Sequence, residues 1–194
     1  MHIPGPAGAL VARFDAAAEP GRASAVLCHP HPLYGGTLED AVLDCLAQVL
    51  LANGVDCLRF NFRGAGGSEG SHDHGHGEVE DLLAAIVWLQ TEHGADHLWL
   101  GGYSFGANVV WQSLDRAPAP ERVLLVAPPV GMMDFPPRRV GCPVDVFIGD
   151  ADDFADLDAL AAWEGVTSHV IAGANHFFVA HADTLKRRIE QAIS

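Results

Sequence analysis

The chain has 194 residues, of which 49% are apolar and 19% charged, with a formal net charge of 11 − 25 = −14. That balance fits one compact soluble domain over 1–194 rather than two, and a chain this long can bury a core without disulfides or a structural metal. One Lys, ten Arg and an acidic excess exclude nucleic acid and anionic membrane as natural partners.

Short Val/Leu/Ile-rich runs alternate with segments of helical period, the pattern of an α/β protein built on a mostly parallel sheet of about seven strands with helices on both faces. In chain order the expected elements are a strand at Leu10–Phe14, placed as an antiparallel edge, a strand at Ala23–Cys28 and a helix at Leu38–Ala52. A strand at Asp56–Asn61, a helix at Glu78–Glu92, a strand at His97–Gly101 and a helix at Phe105–Leu114 come next. Strands at Arg122–Val126 and Val144–Ile148, a helix at Phe154–Trp163, a strand at Thr167–Ile171 and a helix at Phe178–Ile193 complete the pattern. Most strands are apolar enough to be covered on both faces. The stretches Ala117–Pro120 and Ala127–Pro137 read as loops, so no domain boundary is drawn.

Cys28, Cys45, Cys57 and Cys142 form no CxxC pair and sit mostly in apolar runs, which suits free thiols in a reducing, cytoplasmic setting. The N-terminus lacks the basic start and apolar core of a secretory signal, and no stretch approaches the ~20 apolar residues that span a bilayer.

The chemistry is concentrated at Gly102-Tyr103-Ser104-Phe105-Gly106, placed where a strand ends and a helix begins. A sharp turn there lifts a serine hydroxyl above the sheet, and the close approach of helix and strand requires glycine at 102 and 106. Gly66-Gly67-Ser68-Glu69-Gly70 matches the same string but lies in a loop with no helix directly behind it, so Ser68 is assigned to a turn. A serine needs a base, and the base an orienting acid. An acidic cluster, Asp150, Asp152 and Asp153, follows the strand ending at Ile148, and His176 follows the last strand. His169 lies inside that strand and His181 within the last helix. The order Ser…Asp…His is that of an α/β-hydrolase.

The chain resembles the α/β-hydrolase superfamily over nearly its whole length, in particular a small, lidless branch of bacterial serine hydrolases. The resemblance is carried by Cys28-His29-Pro30-His31-Pro32-Leu33-Tyr34-Gly35-Gly36-Thr37, Asn61-Phe62-Arg63-Gly64-Ala65-Gly66-Gly67-Ser68-Glu69-Gly70, Gly102–Gly106 and Gly173-Ala174-Asn175-His176-Phe177-Phe178. It implies a catalytic Ser104, a catalytic acid in the Asp150–Asp153 cluster and a catalytic His176. The family's spacing, a Gly at the strand end and the acid three residues on, selects Asp152.

A developing oxyanion needs two amide donors: that of Phe105 and one from the loop after Ala23–Cys28. Pro30 and Pro32 have none to give, which leaves His31, Leu33 or Tyr34. Leu33 is chosen, on the view that the paired prolines aim its amide. The short segment Ala127–Pro143 leaves no room for a lid. Tyr34, Met132, Met133, Phe135 and Phe177, with Phe178 beside them, are the expected lining of an open cleft.

His72-Asp73-His74-Gly75-His76 reads as a solvated loop rather than a metal site, Arg63 as half of a structural ion pair rather than an anion ligand, and His29 and His31 as loop-shaping or substrate-contacting. The reading that follows is a serine hydrolase acting, without cofactor or metal, on a carboxylic ester, thioester or lactone of a small-molecule substrate, as a monomer or homodimer. Its rivals are an amidase or peptidase with the same three residues and a non-catalytic binding module on the same fold.

Overall fold

The computed structural model describes residues 1–19, 21 and 23–194. Among these residues eight strands form one sheet: β1 (His2–Gly5), β2 (Gly8–Asp15), β3 (Ala23–Cys28), β4 (Val55–Phe60), β5 (Leu98–Tyr103), β6 (Arg122–Val126), β7 (Val144–Gly149) and β8 (Val166–Ile171). Their spatial order is β1-β2-β4-β3-β5-β6-β7-β8. The pairs from β4 onward are parallel, and β2 runs antiparallel to both β4 and β1.

β1 is the strand that sequence reasoning missed. Its four residues include Pro4 and end on Gly5, a composition that argues against a strand yet is tolerated at an edge, where one row of ladder bonds is unused. β1 rather than β2 is therefore the edge, and the first expected strand lies one place further in.

Among the described residues five α-helices cover the sheet: α1 (Ala41–Ala52), α2 (His76–His93), α3 (Phe105–Ser113), α4 (Leu157–Ala161) and α5 (Ala182–Ile193). Alternation along the strands divides the core in two. Val26 and Cys28 of β3 join Leu82, Ile86, Val110 and Trp111 of α2 and α3, whereas Ala25 and Leu27 join Leu43, Leu46, Leu185 and Ile189 of α1 and α5. Because both faces are covered, every residue of β3 is buried.

Helix ends differ from expectation where side chains intervene. α1 starts at Ala41 because Asp40 caps it, its Oδ1 accepting the Val42 and Leu43 amides at 2.9 and 3.1 Å. α2 starts two residues early because Glu78 reaches back to accept the Gly75 and Asp73 amides at 2.8 and 2.9 Å. α5 starts late because Phe178 and Ala180 take positive φ, 51° and 62°. The β6–β7 segment carries no helix. It is fastened to α3 by Asn108 Nδ2, which donates to the Asp134 carbonyl at 2.7 Å, and by Trp111 Nε1, which donates to the Pro136 carbonyl at 3.0 Å.

From β3 the chain goes outward to β4 on one side, then returns to β5 on the other. A crevice opens at such a reversal, beyond the carboxyl ends of the strands. The loops after β3 and β5 meet there.

Candidate active site

Ser104 joins β5 to α3 with φ 54° and ψ −117°, a conformation that a non-glycine residue adopts only where its surroundings enforce it. Its amide donates to the Val126 carbonyl of β6 at 2.9 Å, which pins the turn to the sheet. A Cβ at Gly102 would overlap the Gly106 carbonyl, and one at Gly106 would overlap the Cys28 carbonyl at the end of β3. The expected need for two glycines thus has a backbone cause at each.

Ser104, His176 and Asp152 come together from three loops. His176 Nε2 lies 2.9 Å from Ser104 Oγ, and His176 Nδ1 lies 2.8 Å from Asp152 Oδ2. The Asp152 side chain is fully buried, and its Oδ1 accepts the Phe154 amide at 2.9 Å. With Asp152 ionised, His176 donates from Nδ1, leaving Nε2 free to accept the serine proton. Asp150 is instead exposed and accepts the Gly173 amide at 2.6 Å, while Asp153 is exposed. His176 is steadied by Tyr103, whose hydroxyl donates to its carbonyl at 3.1 Å; burial pushes the Tyr103 phenol up, so it stays a donor.

Of the three amides considered as second oxyanion donor, two are engaged. The Leu33 amide donates to His31 Nδ1 at 3.3 Å, and the Tyr34 amide to the His31 carbonyl at 3.1 Å. The His31 amide has no acceptor among the described residues, and neither has that of Phe105. The geometry therefore moves the expectation from Leu33 to His31: the turn Pro32–Tyr34 consumes the amide that the paired prolines were expected to aim. A hydrogen-bond inventory of this turn is invisible to spacing arguments.

His29, fully buried, shapes the loop. Its Nδ1 donates to the Pro30 carbonyl at 2.6 Å and its Nε2 accepts the Phe62 amide at 3.0 Å, linking the ends of β3 and β4. Burial lowers its pKa to about 4, so it is neutral at neutral pH.

A cleft of about 670 Å³ opens at the serine. Tyr34, Met132, Met133 and Phe177 line it as expected, and three of them are largely exposed: Tyr34 at 88%, Met132 at 68% and Phe177 at 61%. Phe135 does not line it. The ring, half-buried, packs on Trp111 and Trp163, with centroids 6.4 and 5.3 Å away, against the edge of the core. Phe178 is buried against α5. Asp40, Phe154 and Pro129 line the cleft and were missed.

Arg63 forks onto the buried Asp81, Nη2 to Oδ1 at 2.7 Å and Nε to Oδ2 at 3.0 Å, and its amide also donates to that carboxylate. Ser68 donates to the Asn61 carbonyl at 2.7 Å and accepts the Val11 amide at 2.9 Å, well occupied inside its turn. His72 is not solvated as expected: Nδ1 sits 2.7 Å from the buried Glu78, and its ring centroid is 4.9 Å from that of His31. Among the described residues no group of three or more His, Cys, Asp or Glu is placed to hold a metal ion, and no helix is long and apolar enough to cross a membrane.

Residues 30–131 match the model of the alpha/beta hydrolase fold family. The chain is 37% identical to the uncharacterized protein RP471 of Rickettsia prowazekii (strain Madrid E), over 92% of this chain and 81% of that protein. Among solved structures it is similar to XC6422 from Xanthomonas campestris, an a/b serine hydrolase without lid, at 32% identity and a TM-score of 0.93, with 100% of this chain and 92% of that chain covered. An alpha-beta serine hydrolase homologue from Coxiella burnetii matches at 33% identity and a TM-score of 0.93, with 100% of this chain and 96% of that chain covered.

Proposed function

The chain belongs to the α/β-hydrolase fold family, and on that premise we propose that it is a serine hydrolase that cleaves carboxylic esters through an acyl-enzyme. The observation that carries this reading is the continuous path from Asp152 through His176 to Ser104, two contacts of 2.8 and 2.9 Å. His176 takes the Ser104 proton as Oγ attacks the substrate carbonyl, and Asp152 holds the tautomer and stabilises the imidazolium. The amides of Phe105 and His31 receive the oxyanion, the Phe105 amide at the first turn of α3, where the helix dipole favours negative charge. His176 then protonates the leaving alcohol, and a water activated by the same imidazole releases the acid.

The open, lidless cleft suits accessible small-molecule esters, with Tyr34, Met132, Met133 and Phe177 against the apolar part of the substrate. A panel of matched ester, thioester, lactone and amide substrates, run on the native chain and Ser104→Ala, tests the assignment. We expect ester turnover that Ser104→Ala abolishes. Amide turnover exceeding ester turnover makes the protein an amidase, and no turnover of any substrate leaves a binding module.

A further inference from the structure

The charge of the cleft is one-sided. Asp40 lines it from the start of α1. Only one oxygen of that carboxylate is used: Oδ1 accepts both helix amides, and Oδ2 accepts nothing among the described residues. Among the described residues no Lys or Arg lines the cleft to offset it. The arginines at 13, 59, 63, 116, 122, 138 and 139 each face a carboxylate elsewhere. The cleft's other ionisable wall residue outside the serine relay and the phenols, His31, is driven toward its neutral form by burial and by His72 beside it. The aromatic wall points the same way. Tyr34, Phe154 and Phe177 line the cleft, and ring faces attract cations.

We propose that Asp40 sets the charge preference of this site, favouring esters that carry an ammonium group, such as those of amino acids or amino alcohols, over esters or thioesters that carry a carboxylate or phosphate. The proposal rests on the hydrolase reading and deepens it. A carboxylate present only to cap α1 has no such consequence, and Asp40→Asn separates the two roles, because Asn caps helices as well as Asp does and carries no charge.

The test uses p-nitrophenyl esters of equal acyl length ending in a methyl, a trimethylammonium or a carboxylate group, and a matching set with the charge on the alcohol side, at mildly alkaline pH. The native chain should favour cation over anion in kcat/KM by on the order of tenfold, the size of a unit-charge interaction acting in opposite senses on the two substrates. Asp40→Asn should bring that ratio to within about twofold, and raised ionic strength should shrink it in the native chain. The same esters titrated calorimetrically into Ser104→Ala give the order of binding without turnover. Cation-selective binding without turnover in the native chain would defeat the hydrolase reading and leave Asp40's role standing. A native chain indifferent to charge, or a ratio that Asp40→Asn leaves unchanged, overturns the proposal.

Discussion

Asp152 Oδ2 lies 2.8 Å from His176 Nδ1 while its Oδ1 accepts the Phe154 amide at 2.9 Å, so the carboxylate is fixed at both oxygens and can orient the imidazole in one way only. Asp152→Asn keeps the shape but presents the wrong donor to Nδ1. It should lower kcat on a neutral ester by about 10³–10⁴-fold with an unaltered circular dichroism spectrum. A loss below about tenfold would take Asp152 out of the mechanism.

The Arg63–Asp81 pair is structural. Asp81 is fully buried, so Arg63→Ala strands a charge and should cost about 3–5 kcal/mol in urea unfolding. Replacing both residues by apolar ones of similar size should restore most of that, with turnover per folded molecule retained. An Arg63→Ala protein of native stability but lost activity would instead point to a substrate contact.

His29 makes stability depend on pH. Its folded pKa, about 4, is below the ordinary 6.5, so the unfolded chain binds the extra proton between these values. Stability is therefore lost as pH falls through that window, by about 3 kcal/mol once both forms are protonated. His29→Gln gains no proton, and its stability should fall less steeply from pH 6.5 to 4 than that of the native chain in parallel denaturant titrations. Identical slopes would show that His29 does not contribute.

Phe135 and Phe177 have opposite duties. Phe135→Ala should cost about 1–2 kcal/mol of stability by removing a half-buried ring from Trp111 and Trp163, with substrate preference kept. Phe177→Ala should leave the melting temperature nearly unchanged and raise KM for apolar esters, because that ring is exposed on the cleft wall. The reverse pattern would exchange the two assignments.

What the sequence disclosed and what it withheld divide along physical lines. β5, Ser104 and α3 were legible because a strand-to-helix reversal leaves a local mark, glycines two residues either side of the serine. His176 and the acidic cluster were legible because each follows its own strand. The Leu33 amide, the ring of Phe135 and the place of Asp40 in the cleft wall were not, because each depends on contacts between segments: the Leu33 amide on the His31 imidazole, Phe135 on Trp111 and Trp163, and Asp40 on the loop after β3 that brings α1 to the cleft. β1 escaped notice because its pairing with β2, not its composition, makes it a strand.

The account is tested most directly by intact-mass analysis and peptide mapping after treatment with a fluorophosphonate. One adduct per chain, located on Ser104 and absent from Ser104→Ala, is the predicted result; an unmodified protein, or an adduct mapped to Ser68, would contradict it.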